Sequence, residues 1–155
     1  MSKDAKLVAA LHRDKVMSCS QAILSVYGKY FGLSEDMALK LASGFGGGMG
    51  HMGNTCGAVT GAFMVLGGLV YEIDNPNARN EIYNLIQEFT RRFILEHGSI
   101  NCKDLLGCDI STQAGYDIIR EKKLTTTICP KLDQFAAELI EELAAEKLQS
   151  SGRTV

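Results

Sequence analysis

Hydrophobic residues recur along this chain at helical spacing rather than in alternation. From Asp4 to Tyr30 they follow helical spacing, with an interruption near Ser18, which predicts two helices. No segment alternates with period two for long enough to predict a strand. We therefore predict an all-α fold, a single-domain helical bundle over residues 1–149, followed by a disordered tail over residues 150–155.

Residues typical of helix ends mark most of the remaining helices. Ser34 has the side chain of an N-cap and begins a short helix. A longer helix is predicted from Asn77 to Glu96, and Gly98 is its expected C-terminal stop. Another short helix begins at Ser111-Thr112, and Pro130 opens the last helix, which carries an apolar stripe.

The stretch from Leu41 to Tyr71 contains no charged residue. Its first part, from Gly44 to Gly53, is a glycine-rich loop. Its second part, from Cys56 to Tyr71, is apolar on all sides, which predicts a buried helix at the centre of the bundle. This helix is shorter than the roughly 20 apolar residues that span a bilayer, so we expect no membrane insertion.

The charge balance and the N-terminal residues narrow the function classes. The chain has 16 basic and 18 acidic residues and a net charge of −2. It therefore lacks the excess of basic residues that is typical of nucleic-acid-binding proteins. The N-terminus mixes acids and bases and lacks the apolar segment of a secretory signal, so we expect a cytoplasmic protein. A homodimer formed through the apolar helix faces is compatible with this sequence.

The chain has 5 cysteines but no C-x-x-C pair, so it lacks the common zinc-ribbon and thioredoxin signatures. In a reducing compartment, spaced cysteines indicate metal binding or catalysis more than structural disulfides. The alternative is that they are small buried apolar residues. Cys56 stands out because it follows the glycine loop at the start of the central helix, where the helix dipole stabilises a thiolate. We expect it to be the most reactive of the five thiols.

The glycine loop is the second candidate site. It matches neither the Walker pattern nor the dinucleotide-binding fingerprint, because it lacks Gly-Lys-Ser/Thr and no strand precedes it. We interpret Gly46, Gly47, Gly48 and Gly57 as backbone that wraps around a cofactor or a reactive sulfur. The alternative is that such glycines serve close helix packing alone. His51 is either a metal ligand or base, or an ordinary loop residue.

Five short segments in order carry a family resemblance. They are Cys19-Ser-Gln-Ala, Ala42-Ser-Gly-Phe-Gly-Gly-Gly, Cys56-Gly-Ala-Val-Thr-Gly, Cys102-Lys-Asp-Leu-Leu-Gly and Cys129-Pro-Lys. In this order, over about Val16 to Leu143, they resemble the redox-active family of small bacterial and archaeal proteins named after its C-GCAxxG-C-C cysteine pattern. The chain departs from the family's Gly-Cys-Ala order, because Thr55 precedes Cys56 and Gly57 follows it.

The resemblance places the family's four cysteines at Cys19, Cys56, Cys102 and Cys129 and leaves Cys108 outside the pattern. It implies a redox-active protein, an oxidoreductase or electron carrier whose partner protein the sequence does not name. Three readings stay open. The four cysteines converge on a redox or metal centre, an iron–sulfur cluster above all, for electron transfer. Alternatively, the protein is a metal-free thiol–disulfide protein or sensor in which Cys56 attacks, or a zinc-stapled or purely structural interaction domain.

Overall fold

The computed structural model describes residues 2–14 and 17–150. Over these residues the fold is all-α, as predicted, and its extended backbone is limited to an isolated antiparallel bridge between Thr55 and Asn101. In chain order the helices are α1 (Lys3–Arg13), α2 (Cys19–Tyr27), α3 (Glu35–Ala42), α4 (Gly46–Met49), α5 (Gly57–Val70), α6 (Ala78–His97), α7 (Cys102–Leu106), α8 (Gln113–Glu121), α9 (Leu124–Thr127) and α10 (Cys129–Ser150). Of these, α4 is a short turn within the glycine loop, since Gly47, Gly48 and Met49 have positive φ. Ser150 thus belongs to the last helix, and the rest of the predicted tail, residues 151–155, lies outside the described residues.

The residues that marked helix ends in the sequence take the expected capping roles. The Ser34 hydroxyl accepts a hydrogen bond from the Met37 N–H at 3.3 Å, and the Thr112 hydroxyl accepts one from the Gly115 N–H at 3.0 Å. Gly98 ends α6 in the left-handed conformation, with φ of 83°. These contacts satisfy backbone groups that a helix end leaves without partners.

Helix α5 lies at the centre of the bundle, packed against α2, α6 and α10. Val59, Val65 and Leu66 are fully buried, and burying each of them contributes about 1.5–3 kcal/mol of stability. Gly61 favours the close approach of α2, since a Cβ there would lie 3.1 Å from the Cβ of Ile23, tighter than an ordinary van der Waals contact. Within the described part of the chain, no helix is both long and apolar enough to cross a bilayer.

The first and last helices of the chain pack against each other, since α1 lies along α10. The Tyr27 hydroxyl donates a hydrogen bond to the Glu141 carboxylate at 2.6 Å, and the Ser2 hydroxyl donates to the same oxygen at 2.6 Å. These bonds fasten α1 and α2 to the middle of α10. The C-terminal end of α1 is thereby brought close to the N-terminal ends of α2 and α10.

Candidate cysteine site

A cavity of about 540 Å³ lies among the N-terminal ends of several helices. Its lining includes all four cysteines of the predicted pattern, namely Cys19, Cys56, Cys102 and Cys129. All four are free thiols that form no disulfide, and none of the four residues is more than 8% exposed. Cys108 is absent from this lining, and its half-buried thiol donates to the Leu106 carbonyl oxygen at 3.6 Å.

Each of the four cysteines stands at the N-terminal end of a helix. Cys19, Cys102 and Cys129 are the first residues of α2, α7 and α10, and Cys56 is the N-cap of α5. The first turn of a helix leaves backbone N–H groups without intrahelical partners, and the helix dipole places partial positive charge there. Several helix ends thus turn their positive poles toward the same group of sulfur atoms. This arrangement favours negative charge on the sulfurs.

Backbone hydrogen bonds to other segments hold Cys56 and Cys102 in position. The Cys56 N–H donates to the Ile100 carbonyl oxygen at 2.7 Å, and the Cys102 N–H donates to the Asn54 carbonyl oxygen at 2.7 Å. These bonds flank the isolated bridge described above. They hold the start of α5 against the start of α7, although more than forty residues separate the two in sequence. The expectation that Cys56 is the most reactive thiol stays a prediction.

The four glycines predicted to surround a cofactor also line the cavity, and two of them pack directly on cysteines. Gly48 has a φ of 71°, and a Cβ added to it would lie 2.7 Å from the Cβ of Cys102. A Cβ on Gly57 would lie 3.0 Å from the Cβ of Cys19. Gly46 faces Ser18 in the same way, and Gly47 has a φ of 62°. Packing thus explains why glycine stands at Gly48 and Gly57, and cofactor contact stays a prediction.

Burial and close neighbours keep two of the thiols protonated in the metal-free protein. Cys19 lies within hydrogen-bonding reach of Cys129 and Cys56, and these contacts, together with burial, raise the pKa of Cys19 well above its usual range. Burial, followed by the proximity of Cys56 and Cys129, raises the pKa of Cys102 to about 12. Protons must therefore leave Cys19 and Cys102 before either can act as a thiolate ligand.

A buried histidine–aspartate pair that the sequence did not predict lies beside these cysteines. His12 is 8% exposed, Asp133 is fully buried, and Nδ1 of His12 is hydrogen-bonded to Oδ2 of Asp133. The ligand atoms of His12, Cys19 and Cys129 all lie within 4.8 Å of one another, a spacing that could hold a metal ion. Among residues 2–14 and 17–150, no other three His, Cys, Asp or Glu side chains bring their ligand atoms this close together.

Of His12 and Asp133, only Asp133 could have been identified from the sequence as an unusual residue. Asp133 lies four residues after Cys129 and four before Ala137, so it shares the buried face of α10. An acidic residue on a buried helix face is unusual unless it is paired. His12 had no comparable signal, since its partner is 121 residues away.

The Asp133 carboxyl group is in an unfavourable electrostatic setting. Burial raises its pKa, although His12 and Cys19 act in the opposite direction. Its Oδ1 atom is buried and has no hydrogen-bond partner among the described residues. Leaving a buried acceptor without a partner typically costs about 1–3 kcal/mol. A positive charge in the adjoining cavity would offset this cost.

Exposed polar and aromatic residues complete the lining. The ring of His51 lies 6.2 Å from that of Tyr116 between centroids, and the Arg120 guanidinium carbon lies 6.0 Å from the Tyr116 centroid. His51 is exposed, and its backbone has a φ of 64°. It does not belong to the group formed by His12, Cys19 and Cys129. The structure thus brings His51 to the cavity without placing it beside the sulfur atoms of that group.

Comparison with known proteins connects this site to a family. The family model described as "Putative redox-active protein (C_GCAxxG_C_C)" matches residues 17–143 of the chain. The match includes all four cysteines and Asp133, whereas His12 precedes it. Searches of curated proteins and of solved structures found no match. On the extent of the family match, the chain belongs to the redox-active family named after the C-GCAxxG-C-C pattern.

Proposed function

We propose that this protein carries electrons by means of an iron–sulfur centre held by Cys19, Cys56, Cys102 and Cys129. The observation that carries the proposal is that the four family cysteines, distant in sequence, line one cavity at the N-terminal ends of helices. Four thiolates are the usual protein ligands of such centres. Membership of a redox-active family supports the same function.

The donor atoms suit a centre of more than one metal atom. Sulfurs bound to one tetrahedral ion at about 2.3 Å lie about 3.8 Å apart. The group within 4.8 Å contains Cys19 and Cys129 but neither Cys56 nor Cys102, so the four sulfurs are spread more widely than one ion requires. Soft thiolate ligands also favour iron–sulfur centres, zinc or cuprous copper over harder metals. The cavity of about 540 Å³ leaves room for a polynuclear centre.

The residues of the chain contribute binding, shielding and charge stabilisation. When bound, an iron–sulfur centre supplies one-electron oxidation and reduction. The four cysteines are at most 8% exposed, so the fold limits the access of bulk water to them. The dipoles of α2, α5 and α10 favour negative charge in the cavity, which offsets the charge of the thiolates.

Thiol–disulfide exchange without metal is the second candidate function. It is supported by the Cys19 thiol, which lies within hydrogen-bonding reach of two other thiols. In this reaction a thiolate attacks the disulfide of a partner protein, and a second cysteine then displaces the partner from the mixed disulfide. The partner leaves with two thiols, and two electrons have passed to it. Burial of all four thiols disfavours this reaction, because a protein disulfide must reach the attacking sulfur.

Anaerobic purification separates these functions. We expect a coloured protein that contains iron and acid-labile sulfide, and we expect Cys56→Ser to lose both. Cys108→Ser is the matched control and keeps them, because Cys108 lies outside the cavity lining. A colourless, metal-free protein with rapidly titrating thiols would favour thiol–disulfide exchange. Zinc alone would favour the zinc-stapled interaction domain.

A further inference from the structure

His12 lies against the cysteine site but outside the family's cysteine pattern. It belongs to α1, which precedes the residues that the family model matches. A ring nitrogen of His12 and the sulfurs of Cys19 and Cys129 lie within 4.8 Å of one another, and the side chain of His12 lines the cavity. A histidine so close to two thiols has the position of a ligand rather than of a remote core residue.

The hydrogen bond to Asp133 prepares the other ring nitrogen for a metal. Beside a bound cation the Asp133 carboxylate would be ionised and could only accept hydrogen bonds, so Nδ1 of His12, its hydrogen-bond partner, would carry the proton. Nε2 then keeps its lone pair. Histidines that bind metals commonly donate their second ring nitrogen to a carboxylate, which orients the ring and strengthens the ligand. The His12–Asp133 pair has this arrangement.

The burial of Asp133 also supports metal binding by His12. The carboxyl group is fully buried, and its Oδ1 atom has no hydrogen-bond partner among the described residues. A buried carboxylate is costly unless positive charge lies close to it. A cation bound by His12 and Cys19 would lie close to this carboxylate and balance its charge.

We propose that His12 is a ligand of the metal centre, bound through Nε2 beside Cys19 and Cys129, with Asp133 as its positioning residue. This inference rests on the proposed function, since it adds a nitrogen ligand to a centre otherwise held by thiolates. The common iron–sulfur centres take four protein ligands, so His12 would occupy one ligand position in place of a thiolate. Imidazole in place of thiolate raises the reduction potential of an iron–sulfur centre.

Cobalt binding to the reduced protein, stripped of metal by a chelator, tests the inference without requiring an iron–sulfur cluster. The probe is Co²⁺ added to wild-type protein with ¹⁵N-labelled histidine and to unlabelled protein. We expect pulsed electron paramagnetic resonance to show nitrogen coupling that changes with the label. The same coupling should persist in His51→Ala and His97→Ala, which leaves His12 as its source. No histidine coupling, its loss in His51→Ala, or no Co²⁺ binding at all would overturn the inference.

Two variants of the pair give an independent measurement. We expect Asp133→Asn to weaken Co²⁺ binding by about 10- to 100-fold, the usual effect of removing the carboxylate partner of a ligating histidine. His12→Ala should weaken it at least as much, whereas His97→Ala, outside the cavity lining, leaves it unchanged. If either variant of the pair fails to fold, the labelled wild-type protein still decides the matter.

The outcomes also separate this inference from the proposed function. Iron and sulfide in the wild-type protein, with no histidine coupling to Co²⁺, would leave an iron–sulfur centre held by cysteines alone. Histidine coupling to Co²⁺ in a protein that is purified without iron and sulfide would keep His12 as a ligand and reject the iron–sulfur function.

Discussion

Gly48 and Cys102 are packed so closely that a Cβ atom on the glycine would lie 2.7 Å from the Cβ of the cysteine. The same atom would lie 2.7 Å from the backbone nitrogen and oxygen of Asn54. The backbone of Gly48 is left-handed, with φ of 71°. The glycine loop therefore sets the position of a predicted ligand through steric exclusion.

Gly48→Ala should lower the free energy of unfolding and the amount of metal bound. The left-handed backbone alone costs a non-glycine residue about 1–3 kcal/mol, and the clash also displaces Cys102. Gly44→Ala is the matched control in the same loop, because a Cβ there meets nothing within 4 Å. Urea unfolding and metal analysis of the two variants would check this. Equal effects of the two substitutions would contradict it.

The metal-free protein should lose stability in alkaline solution. The pKa of Cys102 is raised from 9.0 to about 12, so the folded state holds its proton more tightly than the unfolded state does. The resulting stabilisation is complete below pH 9 and is lost as the pH rises from about 9 toward 12. Urea unfolding at several pH values should show this decline. The decline should be smaller in Cys102→Ser, which removes the ionisable group.

Metal binding should release protons. Cys19 and Cys102 are protonated at neutral pH because their pKa values are raised, and a metal-bound thiolate has no proton. Titration of the metal-free protein with Zn²⁺ in weakly buffered solution at pH 7 should release at least about two protons per chain. The apparent affinity should rise with pH over the same range. An affinity that does not depend on pH would show that these two thiols are not ligands.

The His12–Asp133 pair should show strong coupling in a double-mutant cycle on the metal-free protein. His12→Leu leaves a buried carboxylate without its partner, and removing one member of a buried pair typically costs about 3–5 kcal/mol. The double variant His12→Leu/Asp133→Leu should be destabilised much less than the sum of the two single variants. Urea unfolding of the three variants measures the coupling. Additive effects would mean that the pair does not act as a unit.

Much of the helical architecture follows from local chemistry and could be predicted from the sequence. Ser34 and Thr112 cap helices through their own hydroxyl groups, and Gly98 ends a helix because it can adopt a positive φ. The apolar residues of α5 predicted its central position. In each case the signal lies within a few residues of the feature.

Only part of the candidate site could be predicted from the sequence. The order of the cysteines identified Cys19, Cys56, Cys102 and Cys129 as a set, but their spacing said nothing about their distances. Helix α7 was not predicted, because a helix of 5 residues is too short to be stable through its own propensity. It forms where the backbone of Cys102 pairs with that of Asn54.

The sequence by itself determined the longer helices, several of their ends and the identity of the thiols, because these depend on side-chain chemistry and on neighbours along the chain. Tertiary structure alone decided that the four thiols share a cavity and that His12 meets Asp133 across 121 residues. It also decided that Gly48 lies against Cys102. Such contacts depend on how α1, α2, α5 and α10 pack, and this packing is set by the burial of many side chains together.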